Sequence, residues 1–284
     1  MLRDKVFQPL EEELWAMVEA DIKAGEYAFF VASGLSATAG LLTGTQLAER
    51  MIEKLYPRTV DPVARFRTSF GYSGTLDLPV VSQLIEDRFS RERLIRFLTS
   101  CTDWNVQPYY EHNFLRLMAI EIGGPPRKAL RIITTNFDDL LERSLSSNRE
   151  VIVTHDQYIL ARDYEPWVLK IHGCIKTHPM DTIRITSADL NRRLENWKRA
   201  ALQSCLDRRG LVVIGYGATD IHIKRVVVRA IQEAEKETYW VSLGTPPRQI
   251  INALSRKGGR YLKMNAIDFF RNLGMGEDDL HRQV

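Results

Sequence analysis

The chain contains few cysteines. Three occur among its 284 residues, Cys101, Cys174 and Cys205, and they are widely separated. An odd number of distant cysteines forms neither a disulfide framework nor the paired ligands of a zinc site. We therefore expect reduced thiols and no bound metal.

The sequence also lacks long apolar runs and a marked excess of either charge. No stretch approaches the roughly 20 apolar residues that span a bilayer, and the segment from Met1 to Glu13 is charged where a signal peptide is apolar. The 39 Lys and Arg residues nearly balance 36 Asp and Glu residues, for a formal charge of +3, and no basic tract is present. These features predict a cytoplasmic protein that does not enter a membrane and does not bind nucleic acid directly.

The sequence does contain apolar segments that alternate between the strand period and the helix period, within a hydrophobic content of 44%. Such alternation is typical of an α/β fold with a doubly wound parallel sheet, and we expect one domain over residues 1–284. Strands are predicted at 27–31, 129–134, 150–154, 167–171, 211–215 and 238–243. Helices are predicted at 10–22, 47–55, 186–199 and 220–235, with the first ending at Gly25.

The pattern changes between Tyr56 and about Gly124. A turn-rich stretch at 68–74 precedes helical patterns near 90–100 and 109–122, and a Gly-Gly-Pro-Pro sequence at 123–126 ends the region. We expect a mostly helical insertion, about 56–124, that covers the active-site end of the sheet. Its aromatic residues either form the core of the insertion or face outward and support association, and both alternatives stay open. They are Phe66, Phe70, Tyr72, Trp104, Tyr109 and Tyr110.

Small and polar residues follow four of the predicted strands. The carboxyl ends of parallel strands meet at one edge of a sheet, where ligands bind. A loop of small residues after a strand lets backbone N–H groups approach a pyrophosphate. We therefore expect the four segments to lie together. They are Ala32–Gly40, Thr134–Asp138, Lys170–Gly173 and Gly215–Asp220.

Each segment taken alone also has a purely structural interpretation. Asp138 or Asp139 can simply cap a helix, and Asn136 can form an ordinary turn. A glycine-rich turn is often only a tight turn, and a single histidine such as His172 is more often a hydrogen-bonded structural residue than a catalytic one. The occurrence of all four segments, in this order, favours a binding site.

These segments resemble the signatures of the sirtuin family, and specifically its divergent bacterial branch associated with NAD hydrolysis in phage defence. The family carries a Gly-Ala-Gly-Ile-Ser loop followed by a glycine, then Thr-Gln-Asn-Ile-Asp (Thr-Thr-Asn-Tyr-Asp in the divergent branch), His-Gly, and a late Gly-Tyr-Ser segment ending in Asp. The similar segments here are Ala32–Ser36 with Gly40, Thr134–Asp138, His172-Gly173, and Gly215 through Asp220. The resemblance implies a Rossmann-like sheet and NAD as the substrate.

The departures from the family pattern bear on the reaction. Ala32 and Ser33 replace the first Gly and Ala, and Leu42 stands where protein deacylases carry proline. No paired cysteines lie between His172 and Gly215, so the zinc ribbon of deacylating sirtuins cannot form there. The zinc-free form favours the NAD-hydrolysing branch.

The resemblance also implies the site residues. Asn136 and His172 are the expected catalytic residues, because Asn136 can hold a ribose or a water without becoming charged and His172 can accept a proton. Asp138 is expected to orient the ligand. The expected cofactor-binding residues are Ala32, Ser33, Gly34, Ser36, Thr135, Asp138, Gly215, Tyr216 and Ala218. No residue is expected to bind a metal.

The predicted function is an NAD glycohydrolase that releases nicotinamide and ADP-ribose. One alternative is a zinc-free NAD-dependent deacylase or ADP-ribosyltransferase, and another is a module that senses NAD or ADP-ribose without turnover. Because unregulated NAD hydrolysis would deplete the cell, the resemblance further implies a gated effector in bacterial antiphage defence. The expected gate is a homo-oligomer, a defence-system partner protein, or both.

Overall fold

The computed structural model describes residues 6–7, 10–110, 112–116, 129–145, 149–162, 165–218 and 221–274. Within these residues seven strands form one sheet in which every neighbouring pair is parallel. The strands are β1 (Tyr27–Val31), β2 (Arg131–Thr134), β3 (Glu150–Ile152), β4 (Trp167–Lys170), β5 (Gly210–Ile214), β6 (Thr238–Val241) and β7 (Arg260–Leu262). The doubly wound parallel sheet predicted from the sequence is confirmed.

The strand order is β3-β4-β2-β1-β5-β6-β7. Each of the four central strands is buried along its whole length, because helices cover both faces of the sheet. Successive residues of one strand point to opposite faces. Phe29 accordingly packs in one hydrophobic cluster and Phe30 in another.

Helices connect the strands. Those before β2 are α1 (Glu12–Lys23), α2 (Ser33–Ser36), α3 (Gly44–Leu55), α4 (Pro62–Phe70), α5 (Leu78–Arg88) and α6 (Arg91–Ser100). Those after β2 are α7 (Leu140–Ser144), α8 (His155–Leu160), α9 (Pro179–Thr182), α10 (Ser187–Asn191), α11 (Asn196–Leu206), α12 (Ile221–Glu233), α13 (Arg248–Lys257) and α14 (Ala266–Asn272). No helix of the described segments is long and apolar enough to cross a membrane.

The starts of α3 to α6 follow from local capping. Thr43 forms a reciprocal capping box with Gln46, and the side chains of Asp61, Asp77 and Ser90 each accept a hydrogen bond from a backbone N–H of the first turn. Such caps satisfy N–H groups that have no partner inside the helix. These four helices therefore begin at positions that the sequence marks.

The helices α3 to α6 share a third hydrophobic cluster, which also receives Ile175, Ile183 and Ile185 from the chain after β4. We call this group of helices the helical layer. An ion pair fixes it to that same part of the chain, since Arg91 Nη1 lies 2.8 Å from Asp189 Oδ2. The helical layer is thus attached to the chain that follows β4, at the carboxyl end of that strand.

The aromatic residues of this region are mostly internal. Phe66 is fully buried, while Phe70 and Trp104 pack against the cluster of the helical layer and Tyr110 packs against the sheet. Tyr109 is the large exposed aromatic residue among the six. Of the two alternatives, a role in the hydrophobic core fits most of these aromatic residues, and outward exposure fits Tyr109.

Several predicted boundaries were wrong. The stretch 68–74 is not all turn, because α4 continues to Phe70 and ends at Gly71 in the left-handed conformation. The helix predicted at 186–199 is divided into α10 and α11. The sequence pattern missed β7, in which only Tyr261 and Leu262 are apolar and both neighbours, Arg260 and Lys263, are charged. The predicted segments at 117–122 and 123–126 lie outside the described residues.

Candidate active site

The four segments predicted from the sequence follow four adjacent strands, β4, β2, β1 and β5. Residues 219 and 220 of the last segment lie outside the described residues. The register pairs Lys170 with Thr134, Thr134 with Val31, and Val31 with Ile214. Neighbouring strands in a sheet lie about 4.8 Å apart. Residues that follow these paired positions by the same number of residues therefore lie side by side.

The second residue beyond each paired position lines one cleft. In sheet order these residues are His172, Asn136, Ser33 and Tyr216. The cleft contains about 920 Å³ of empty space, including the solvent at its mouth. Its lining also includes Ala32, Ser36, Thr135, Asp138 and Gly217.

Three of the residues predicted to bind the cofactor do not line this cleft: Gly34, Gly215 and Ala218. The first two allow two loops to cross. A Cβ on Gly34 would lie 2.8 Å from the Gly215 Cα atom, and the Gly34 N–H donates to the Gly215 carbonyl at 3.3 Å. Gly215 also has φ +66°, which favours glycine. In this structure both glycines act through backbone packing.

Asn136 is held by two hydrogen bonds. Its backbone N–H donates to Thr134 Oγ1 at 3.0 Å, and its side-chain Nδ2 donates to Ser36 Oγ at 2.9 Å. Both Asn136 and Ser36 are buried. Ser36 belongs to α2, the short helix after β1, so the segment after one strand orients the loop after the neighbouring strand. The Asn136 side chain is therefore preorganised before any ligand arrives.

Asp138 combines two of the roles considered for it. Its Oδ1 accepts a hydrogen bond from the Leu140 N–H at 3.1 Å and so stabilises the start of α7. The residue is buried and also lines the cleft. A carboxylate fixed in this way is poorly placed to act as a nucleophile, but it can still orient a ligand.

His172 lines the cleft with a side chain that is mostly buried. Its carbonyl accepts a hydrogen bond from the Arg184 N–H at 2.9 Å. The next residue, Gly173, has φ +88°, and a Cβ there would lie 2.2 Å from the Thr182 carbonyl oxygen. The His-Gly pair thus allows the chain after β4 to turn back closely on itself.

Sequence reasoning missed the opposite wall of the cleft. The helical layer and the chain after β4 supply apolar side chains whose positions depend on long-range packing, so no local motif could have identified them. They are Leu47, Leu78, Pro79, Ile185 and Leu190. Leu41 and Leu42 before α3, Trp104 after α6, and Phe137 from the loop after β2 complete the apolar lining. The site is therefore polar at the strand ends and apolar on the facing side.

Arg184 was also missed, although it lines the same cleft. Its guanidinium is held by Glu195 Oε2 at 3.3 Å and donates to the carbonyls of Asp189 and Arg192. These partners hold the side chain in place, so we assign it a role in shaping the wall.

A second buried histidine, His112, does not line the cleft. His112 is fully buried, and its Nδ1 accepts a hydrogen bond from the Tyr109 N–H at 3.3 Å. Its Nε2 has no hydrogen-bond partner among the described residues. Burial lowers the pKa of His112 to about 4, against an opposing attraction to Asp138. The imidazole is therefore neutral at pH 7, with its proton on Nε2.

We expect the stability of the fold to fall as the pH drops from about 6.5 to 4, because the unfolded chain protonates His112 in this range and the folded chain does not. The shift from 6.5 to about 4 corresponds to roughly 3 kcal/mol. Urea unfolding of the wild type and of His112→Asn at pH 7 and pH 4.5 measures the effect. An equal loss of stability in both proteins contradicts this assignment.

The three cysteines occupy separate parts of the structure. Cys101 packs in the helical layer, Cys205 lies in the core on one face of the sheet, and Cys174 Sγ donates to Glu142 Oε1 at 3.8 Å. Burial raises the pKa of Cys205 to about 12, so its thiol does not ionise readily to become a metal ligand.

We expect elemental analysis of the purified protein to find no stoichiometric zinc. Zinc that resists a chelator contradicts this prediction.

Residues 130–267, from the start of β2 into α14, match the family model of the SIR2-like domain. These matched residues, a little under half of the chain, are SIR2-like. No curated protein matches its sequence significantly.

Solved structures of Sir2 homologues share this fold. Two are complexes of variants with ADP-ribose, one with a serine-to-alanine and one with a histidine-to-asparagine substitution. Their TM-scores are 0.55 and 0.50, each at 15% identity over 97% of this chain and 100% of theirs. A Sir2 homologue in complex with NAD has a TM-score of 0.51 at 15% identity, over 97% of this chain and 96% of its own. At this identity the similarity establishes the fold.

The predicted Rossmann-like, sirtuin-like fold is thus confirmed. Membership of the zinc-free bacterial branch stays a prediction.

Proposed function

We propose that this sirtuin-like protein is an NAD glycohydrolase that cleaves the nicotinamide–ribose bond. The observation that carries the proposal is the position of Asn136 and His172, which lie at equivalent places beyond two adjacent strands and line the same cleft. Sir2 homologues of the same fold have been solved with ADP-ribose and with NAD, which supports NAD as the ligand.

The chemistry requires positioning more than strong acids or bases. Nicotinamide leaves from a positively charged pyridinium, and the transition state resembles an oxocarbenium ion on the ribose. Asn136, oriented by Ser36, would hold the ribose or the attacking water without adding charge. His172 would accept the proton of that water or of a ribose hydroxyl. Asp138 would orient the ligand.

The apolar wall suits the nicotinamide end of the substrate. A flat aromatic group packs well against side chains such as Leu78, Trp104 and Ile185. Excluding water on that side would also strengthen the polar interactions at the strand ends.

The same wall supports a second candidate, a zinc-free NAD-dependent deacylase. Leu42, Leu78 and Leu190 could accommodate an acyl chain as well as nicotinamide. A deacylase needs the acylated peptide for turnover, whereas a glycohydrolase does not. A sensor module would bind NAD and release no nicotinamide.

The direct test is to incubate the purified protein with NAD and to separate the products by chromatography. We expect nicotinamide and ADP-ribose without any acylated peptide. Parallel reactions contain an acetylated peptide, and a further set contains Asn136→Ala. Nicotinamide release only in the presence of the peptide supports the deacylase, and binding without release supports the sensor.

We further propose a gated role for the hydrolase in bacterial antiphage defence, acting on the cytoplasmic NAD pool. The argument is chemical, since a permanently active enzyme would deplete the cofactor of its own cell. Assembly with further copies or with a defence-system partner would provide the gate. We expect specific activity to rise with protein concentration in parallel with sedimentation. A monomer whose specific activity is full at every concentration contradicts gating by self-assembly.

A further inference from the structure

A buried ion pair joins the end of β4 to α7, next to two segments that line the cleft. Lys170 is the last residue of β4, its side chain is 1% exposed, and its Nζ lies 2.7 Å from Glu142 Oε1 in α7. Burial is the largest single influence and acts to lower the pKa of Lys170, but the combined attraction of Glu142, Cys174 and Asp138, with the hydrogen bond to Glu142, raises it. The ammonium is therefore charged at neutral pH, in the core of the protein.

The same ammonium also binds the loop that carries Asn136. Lys170 Nζ donates to the backbone carbonyl of Asp138. Since the chain runs from the end of β4 to His172 and the loop after β2 contains Asn136, one side chain connects the two segments that bear the proposed catalytic residues. Lys170 itself is buried and does not line the cleft.

Neighbouring contacts join the same two segments. The Ile175 N–H donates to the Phe137 carbonyl at 2.8 Å, and Cys174 Sγ donates to the Glu142 oxygen that Lys170 binds. The other oxygen, Glu142 Oε2, has no hydrogen-bond partner among the described residues. Lys170 is thus the principal hydrogen-bond partner of this buried carboxylate, and Cys174 is a weaker donor.

Stability alone does not explain such a pair. Removing two charges from water costs free energy that their attraction only partly returns, and apolar pairs of similar volume are often as stable or more stable. The pair does, however, hold the backbone carbonyl of Asp138, two residues after Asn136, at a fixed place. Small displacements of catalytic groups reduce rates strongly, by about 100-fold for a shift of about 1 Å.

We propose that Lys170, held by Glu142, is a positioning residue that fixes the loop of Asn136 against the end of β4 and thereby sets the placement of Asn136 relative to His172. This inference rests on the proposed NAD cleavage for its kinetic consequence. Its structural content, the restraint of the loop, does not depend on that activity.

The test replaces both partners by apolar residues of similar size, Lys170→Met with Glu142→Leu. This double variant removes the hydrogen bond to the Asp138 carbonyl without leaving a buried charge, so we expect the melting temperature to be retained or raised. We expect kcat for NAD cleavage to fall at least about 10-fold while KM stays within about threefold, because the ligand contacts remain and the alignment is lost. Lys236→Met with Asp21→Leu is the matched control, since this ion pair has the same separation of 2.7 Å and neither residue lines the cleft.

A second measurement does not use turnover. Hydrogen exchange of the peptides covering 134–140 and 171–176 should accelerate in the double variant of the unliganded protein, and exchange of β6 should not change. A stable double variant with wild-type kcat and wild-type exchange overturns the proposal. Glu142→Gln provides the same readouts if the double variant does not fold, with a smaller loss expected. If the wild type releases no nicotinamide, the proposed function fails, and the exchange data still decide whether the pair restrains the loop.

Discussion

Asn136→Ala and His172→Ala are each expected to reduce NAD cleavage by on the order of 100-fold or more. The first removes the amide that Ser36 orients, and the second removes the group proposed to accept the proton. Neither change is expected to unfold the protein, since both side chains lie at the cleft and outside the hydrophobic clusters. Initial rates of nicotinamide release, with circular dichroism of each variant, test this prediction.

Two controls make the result specific. Ser36→Ala leaves Asn136 in place but removes its 2.9 Å hydrogen bond, so we expect a smaller loss of kcat. Calorimetric titration with ADP-ribose should show that His172→Ala still binds the product. If either alanine variant retains near-wild-type turnover under conditions in which the wild type is active, the catalytic assignment is wrong.

Gly173→Ala is expected to destabilise the fold by about 3 kcal/mol or more. The residue has φ +88°, where a side chain is strained, and the added Cβ would lie 2.2 Å from the carbonyl oxygen of Thr182. That oxygen belongs to the backbone and cannot move away cheaply. Thermal unfolding should show a melting temperature lower by on the order of 10 °C.

Gly244→Ala is the matched control for this substitution. A Cβ at Gly244 meets no atom within 4 Å, and its backbone does not have the positive φ of Gly173. We expect its melting temperature to stay close to that of the wild type. A Gly173→Ala variant as stable as Gly244→Ala would show that the turn after His172 can open without cost.

The outcome for the sheet shows how much local pattern can predict. Strand β1 was predicted with the observed bounds, and five other strands were found within a few residues, because a buried parallel strand is an almost continuous apolar run. The polar residues that follow these runs were recognised for the same reason. In contrast, β7 contains only two adjacent apolar residues between two charged ones, which is too short an apolar run to indicate a strand.

The sequence by itself therefore determined the strands of the sheet and the polar residues at their carboxyl ends, including Asn136 and His172. Both are local properties, written within a few neighbouring residues. Only the tertiary structure decided which distant side chains face them, because the apolar wall and the Lys170–Glu142 pair arise from contacts between segments far apart in the chain. It likewise decided that Gly34 and Gly215 pack against each other, since close approach of two backbones depends on the path of both loops.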